Sequence, residues 1–494
     1  MKYMETTLRD IVGSENNVYL RSGNSYRESL RDGRRVWFEG EYLEDITSHP
    51  KFSGTVDMIC RYFDAHQSGP LADILTEKRE NGTVSSAAYM IPRNTEDLRR
   101  RGQVINAVVD MTHGTMGRGP DFMPTMLLGM YGSRELYIKS NPELGSNVER
   151  YYEWARQNNP IMTLAFVDPQ GDRTLPAEER EYLRVVDRTE SGIVVSGAKV
   201  VATLSPFAEE IIVHTLYRKD LEKDNAISCA IPVNTKGVTI VCREGWLTPG
   251  KEIEHPLSSR VDEIDAMIVF DRVFVPYERV FYVGDTEIPK YYSTTALWGH
   301  WHVMARITRR YEFIAGAASL IPKVIGTEKI PQVRDSVAET LRCLETCRAF
   351  LRAAEENYGI MGGVAHADDN IITTGRMYSV EQYPKMMNIL REISGQGLIM
   401  RFPDKAFDDE SFGTVLKKAI NAQNYSGREK TRIFNYVWDL CSDSFASRLE
   451  MFEVQNAQSV PKNRQLWFDN YSKEELTALE EKVCRIVDVP TPSF

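Results

Sequence analysis

The spacing of apolar residues changes character twice along this chain, and those changes limit its architecture more than any single motif does. Residues 1–155 read as mainly helical, with breaks at Asp32-Gly33, Ser68-Gly69-Pro70 and Gly117 to Pro120. Within them, Asp97 to Thr112 carries Leu98, Val104, Ile105, Val108 and Val109 at helical spacing. That helix runs into a Gly-Arg-Gly-Pro turn, which sets Arg118 at a sharp bend. From 156 to 288 the pattern becomes short β-branched clusters: Gly192 to Val201, Ile211 to Thr215, Ile227 to Ile231, Val238 to Cys242, Ala266 to Phe270 and Val273 to Val275. Turn residues separate them, with few helices between, so an antiparallel sheet or barrel is expected rather than a doubly wound parallel sheet. From 289 to 494 helical stripes return. One holds Val303, Ile307, Tyr311, Ile314 and Leu320; another Val333, Val337, Leu341, Leu344, Cys347, Leu351 and Ala354; a third Ile433, Val437, Leu440, Phe445, Leu449 and Phe452. Successive amphipathic helices imply a bundle. The expected fold is α+β in three units: an N-terminal helical domain (1–155), a middle antiparallel β-barrel (156–288) and a C-terminal helical bundle (289–494).

Composition narrows function mainly by exclusion. The 494 residues are 42% hydrophobic and 26% charged, enough for several buried cores. A net charge of -10, spread along the chain, repels phosphate backbones, so neither nucleic acid nor an anionic membrane is an expected partner. The opening Met1-Lys2-Tyr3-Met4-Glu5-Thr6-Thr7 lacks the apolar core of a signal peptide, and no run is long enough to span a bilayer, so a cytoplasmic location is expected. Seven cysteines in this length make no disulfide framework. Cys343 and Cys347 fall inside an apolar stripe and read as core. Gly245 to Glu252 resembles a phosphate loop, but Glu252 stands where a hydroxyl is needed and Pro249 lacks an N–H. Ser196-Gly197-Ala198-Lys199 would place its Ser and Lys on opposite faces of a strand, which rules out a catalytic dyad.

Four short runs stand out by their order and spacing. They are Gly117-Arg118-Gly119-Pro120-Asp121-Phe122, Val167-Asp168-Pro169 with Asp172-Arg173, Ser196 to Thr203, and Pro256-Leu257-Ser258-Ser259-Arg260. Their order and spacing resemble the oxygenase component of the 4-hydroxyphenylacetate 3-monooxygenase family, from about residue 26 to about residue 458. The resemblance implies an acyl-CoA dehydrogenase-like architecture, FAD used as FADH2, and hydroxylation of a phenol through a flavin C4a-hydroperoxide. It further implies O2 as co-substrate, a separate NAD(P)H:flavin reductase as partner, and a homotetramer. A 4-hydroxybutyryl-CoA dehydratase-like lyase and a non-catalytic homologue share the fold and stand as alternatives.

The same resemblance assigns residues. Arg118 matches the substrate-contacting arginine of the family, a cation suited to stabilising a phenolate. Two positions depart from the pattern: the family's tyrosine is Phe122 and its substrate histidine is Leu164. Losing two hydrogen-bonding groups suggests a less polar phenol. His302, in Trp298-Gly299-His300-Trp301-His302, resembles the base of the halophenol and nitrophenol branch, with His300 a weaker candidate. No metal site is expected. For the flavin, the candidates are Ala165, Phe166, Val167, Gln170, Arg173, Thr203, Ser447 and Arg448, with Thr203 placed to bond the isoalloxazine N5 or O4 edge. Arg260 is expected to pair with Asp262, Glu263 or Asp265 and is left outside the site.

Overall fold

Local signals set the helix that delivers Arg118. Asn94 caps it by accepting from the Asp97 N–H at 3.0 Å, and Glu96 and Asp97 in the first turn complement the positive end of its dipole. The helix spans Thr95–Met111 and buries Leu98, Val104, Ile105 and Val108 on one face. His113 and Gly114 then take positive φ values of 52° and 71°, which turns the chain back before a second helix, Phe122–Gly132, begins. In the computed structural model, described residues run from 20 to 491, apart from 80, 173, 177–178, 457–459 and 470.

The β-rich region forms two sheets. One has six strands in the order Glu41–Leu43, Val36–Phe38, Val238–Cys242, Ala266–Pro276, Gly192–Lys199 and Arg184–Arg188. The other orders Val280–Val283, Ile227–Pro232, Glu210–His214 and Met162–Ala165. The expected antiparallel barrel thus takes the form of two packed sheets, and two of its pairs are parallel. Val36 pairs with Ile240, and Met162 with Glu210, both in parallel register. The N-terminal region is also less purely helical than its rhythm suggests, because the hairpin at 36–43 extends the six-stranded sheet. Three residues per strand is too short for an alternation to register. The clusters Ala266 to Phe270 and Val273 to Val275 join as one strand, Ala266–Pro276, broken by a register shift at which Arg272 adopts φ 47°.

Helices Leu297–Ile325, Pro331–Glu356 and Asp369–Ser394 form the body of the bundle. Cys343 and Cys347 are buried within it. The stripe from Ile433 to Phe452 divides into helices Gly427–Cys441 and Ser444–Asn456, because Asp443 accepts from the Ala446 N–H at 2.7 Å and starts a new helix. Among the described residues no helix is long and apolar enough to cross a membrane.

Candidate active site

The bend after Thr95–Met111 is held from the β-region. Glu263 accepts from the Gly117 and Arg118 N–H groups, both at 2.8 Å, and its carboxylate also pairs with Arg448. Gly117 has no room for a side chain: a Cβ there would lie 1.9 Å from the Phe452 ring. The Arg118 guanidinium stacks 3.9 Å from the Phe122 ring centre and 5.4 Å from that of Phe452. Burial, followed by the nearby Arg306, pulls its pKa down to about 10. Arg118 therefore stays a cation at neutral pH, in surroundings where its charge is strongly felt.

Helix Leu297–Ile325 brings His302 to the same bend. His302 Nε2 lies 2.8 Å from Asp121 Oδ2, and its ring meets Phe122 edge-on with centroids 5.2 Å apart. Asp121 thus spends its carboxylate on the histidine. As acceptor it fixes the tautomer with the proton on Nε2, leaving Nδ1 as the basic nitrogen. Nδ1 is buried and has no hydrogen-bond partner among the described residues. Burial lowers the His302 pKa, and the Asp121 carboxylate only partly offsets that. The imidazole is neutral at physiological pH and able to accept a proton.

A charged network underlies the second half of the site. Asp265 accepts from Thr203 Oγ at 2.7 Å, from Arg448 Nε at 2.8 Å and from Arg243 Nε at 3.0 Å. Desolvation opposes its charge, but Arg448 and Arg243 outweigh that and hold its carboxyl far below the ordinary range. Since Asp265 only accepts, the Thr203 hydrogen is committed to it, and the Thr203 oxygen can then only accept a further bond. The expected pairing of Arg260 with these acids is replaced: Arg260 Nε donates to the Pro256 carbonyl, while Glu263 and Asp265 serve Arg448.

Two of the four runs touch each other. Val200 N–H donates to the Val167 carbonyl at 2.9 Å, and Lys199 pairs with Asp168 at 2.6 Å, so the second and third runs clasp each other. The fourth is docked on the bundle, where Asp439 accepts from the Leu257 and Ser258 N–H groups at 2.9 Å. His255, Asp439 and Asp443 there approach within 4.8 Å of one another, but Asp439 is already engaged in this docking. Phe122 and Leu164 belong to one buried apolar cluster, against which Phe166 and Tyr292 pack. Phe166 and Tyr292 stack with centroids 6.0 Å apart. Ala165 is fully buried and Val167 half-buried, whereas Gln170 and Ser447 are exposed, and Ser447 Oγ donates to the Asp443 carbonyl at 2.9 Å. His300 turns instead toward Asp369, 3.6 Å away. Arg173 lies outside the described residues. Reading the sequence missed Asp121, Glu263, Asp265 and Phe452 as site residues. Asp121 was visible inside the first run, but Glu263 and Phe452 become neighbours of that run, and Asp265 of Thr203, only through the fold.

A helical first third, paired central sheets and a helical bundle, with an arginine and a carboxylate-oriented histidine between apolar walls, define the class of acyl-CoA dehydrogenase-like flavin oxygenases. Residues 22–282 match the profile described as 4-hydroxyphenylacetate 3-hydroxylase N terminal, and residues 290–485 that described as 4-hydroxyphenylacetate 3-hydroxylase C terminal. The chain belongs to this family; it is the oxygenase component of an FADH2-dependent aromatic monooxygenase. It is 32% identical to the 4-hydroxyphenylacetate 3-monooxygenase oxygenase component of Thermus thermophilus, over 92% of this chain and 95% of that one. It is 31% identical to the FADH(2)-dependent monooxygenase TftD of Burkholderia cepacia, over 88% of this chain and 87% of that one. A solved oxygenase component of 4-hydroxyphenylacetate 3-monooxygenase, complexed with FAD and 4-hydroxyphenylacetate, superposes with a TM-score of 0.89 at 30% identity, covering 94% of this chain and 99% of that one. An archaeal 4-hydroxybutyryl-CoA dehydratase superposes with a TM-score of 0.84 at 20% identity, covering 96% of each chain, and so shares the fold.

Proposed function

We propose that the chain hydroxylates a phenol, with FADH2 delivered by a separate NAD(P)H:flavin reductase and with O2 as co-substrate. The observation that carries the reading is His302, oriented by Asp121 through Nε2 and presenting a buried, unbonded Nδ1 beside the Arg118 guanidinium stack. Nδ1 takes the phenol proton, and Arg118 stabilises the oxygen anion that forms. Loss of that proton raises electron density on the ring carbons to be oxidised. Phe122 and Leu164 keep water from that end of the pocket.

The residues fit a reduced flavin. The Thr203 oxygen, its own hydrogen committed to Asp265, matches the N–H that N5 carries only when the ring is reduced, which selects N5 over the O4 edge. Ala165 to Val167 would line the same tricyclic ring, and Arg448 would set the field beneath it from its place between Glu263 and Asp265. Reduced flavin with O2 supplies one oxygen atom to the ring and the electrons that take the other to water.

A cytoplasmic homotetramer completes the reading. Helices Val460–Asp469 and Lys473–Val487 bury no residue, and the second exposes Leu479, Val483, Ile486 and Val487 along one stripe. Such a stripe needs cover from further copies of the chain.

The test is a reductase-coupled assay on a panel of phenols, scoring hydroxylated product against hydrogen peroxide. The His302→Ala and Arg118→Ala variants are expected to lower product yield at least about tenfold while peroxide continues to form, on the scale of general acid–base contributions. Unchanged product from either variant would remove that residue from the chemistry.

A further inference from the structure

A column of alternating rings and cations crosses the candidate site from the base to the flavin side. His302 meets the Phe122 ring edge-on with centroids 5.2 Å apart, and Phe122 carries the Arg118 guanidinium at 3.9 Å. Arg118 in turn lies 5.4 Å from the Phe452 ring centre, and the Arg448 guanidinium lies 4.6 Å from that same centre. Arg448 then pairs with Asp265, the acceptor for the Thr203 hydroxyl. Helix Leu297–Ile325, the Arg118 bend with helix Phe122–Gly132, and helix Ser444–Asn456 each contribute to the column, although they lie far apart in sequence. Phe452 is the member that touches both of its arginines.

Two features hold the Phe452 ring in that place. Glu453, the next residue of the helix, is buried and grips Arg306 through both carboxylate oxygens, at 2.5 and 2.7 Å, and Arg310 at 3.0 Å. Arg306 stands one turn beyond His302, so this ion pair sets the rotation of the Phe452 helix against the helix of the base. Gly117 supplies the room, since even a Cβ there would lie 1.9 Å from the ring. Packing over a glycine asks only for an apolar side chain. Two guanidiniums within cation–π range ask for a π face, because the attraction comes from the ring quadrupole.

We propose that Phe452 is a positioning residue for phenol activation: its ring holds the Arg118 guanidinium where it stabilises the phenolate, and ties that position to the Arg448 side of the site. This rests on the phenol-hydroxylase reading above and deepens it, because Phe452 acts through Arg118 rather than on the substrate. The column also gives Phe122 a use. With no hydroxyl to offer, its ring still serves as a face for Arg118 on one side and a wall for His302 on the other.

The experiment reads ionisation without turnover. 4-Nitrophenol is bound to the full-length protein with oxidised FAD present, and the difference absorbance of bound 4-nitrophenolate is followed across pH to give the pKa of the bound phenol. A nearby cation lowers that pKa. The chains compared are the unchanged one, Phe452→Leu, Phe452→Tyr, and chains carrying fluorinated phenylalanines at position 452, which keep the shape of the ring while draining its π face. Phe452→Leu is expected to weaken ionisation of the bound phenol about threefold to tenfold, the scale of a cation–π contact, and Phe452→Tyr to leave it near its original value. Each added fluorine should raise the bound pKa further, a trend that loss of packing does not produce. In the reductase-coupled assay the same order should appear as a falling ratio of product to peroxide. A bound pKa that neither Phe452→Leu nor fluorination moves would overturn the proposal, and so would equal shifts for Phe452→Leu and Phe452→Tyr. If Phe452→Leu does not fold, the fluorinated chains decide alone. Arg118→Ala separates this failure from that of the reading beneath it. Should Arg118→Ala leave the bound pKa in place, the arginine does not face the phenol and the reading itself falls; should it raise the pKa while the ring variants do not, only the role of Phe452 falls.

Discussion

At the scale of single residues, the site works through commitments made by neighbours. In the proposed reading His302 serves as base because Asp121 occupies its other nitrogen, and Thr203 serves as acceptor because Asp265 occupies its hydrogen. Each commitment predicts a measurable consequence. Burial lowers the His302 pKa, so the acid limb of the kcat/KM profile is expected below pH 6.5, the ordinary histidine value. Asp121 is the group that raises this pKa against burial, so Asp121→Asn should move the limb to still lower pH and reduce the plateau. A limb that stays in place, read from initial rates across pH 5 to about 8, would separate Asp121 from the base. Thr203→Val keeps the shape and removes the acceptor. FADH2 affinity should fall about threefold to tenfold, the value of one net hydrogen bond, while oxidised FAD, which lacks the N5 hydrogen, binds nearly as before. Equal losses for both redox forms would place the hydroxyl elsewhere.

At the scale of elements, the Arg118 bend is a loop braced by a sheet-side acid. Glu263 links two N–H groups of the bend to Arg448 of helix Ser444–Asn456, and Phe452 of the same helix closes over Gly117. Gly117→Ala would push its methyl into that ring, a form of overpacking that costs about 1–3 kcal/mol. Urea unfolding should register that loss, together with a larger fall in hydroxylation than in peroxide formation, because Arg118 moves with its backbone. Full coupling in Gly117→Ala would show that the bend tolerates displacement. The terminal helices make a different prediction. Since neither buries a residue within the chain, ending it after residue 456 should leave the thermal transition of the remainder close to its original value. Light scattering of the same protein should show a smaller assembly. A truncated chain that keeps the full assembly would mean other surfaces carry it.

At the scale of the whole molecule, several histidines are folded into places that disfavour their charge. Burial pushes His66 down to about 4 and His214 to about 3. Their folded pKa values lie below the unfolded one, so between about pH 6.5 and 4 the unfolded chain binds more protons. Stability is fully present above pH 6.5 and is lost as pH falls toward 4, with His66 alone accounting for something on the order of 3 kcal/mol. Midpoints of urea unfolding measured between pH 7.5 and 4.5 should fall, and His66→Gln should flatten the curve. A pH-independent midpoint would contradict these placements.

Much of the plan was legible in the residue order, and the reason is physical. Helical and strand periodicities are local properties, so the two changes of rhythm located the helical, sheet and bundle regions. The runs around Arg118, Val167, Thr203 and Pro256 were legible because each is a compact set of turn and polar residues at close sequence spacing. Three-residue strands at 36–43 and the parallel pairs were not, since pairing partners lie some two hundred residues apart. Nor did periodicity show that Asp265, rather than solvent, answers Thr203 and Arg448. Hydrogen bonding and desolvation depend on which distant groups the fold brings within about 3 Å. The order of residues determined the elements and the chemistry available to them; the tertiary packing alone decided which charges are satisfied and which hydrogen-bonding groups are already committed to a neighbour, because both depend on groups far apart in the chain.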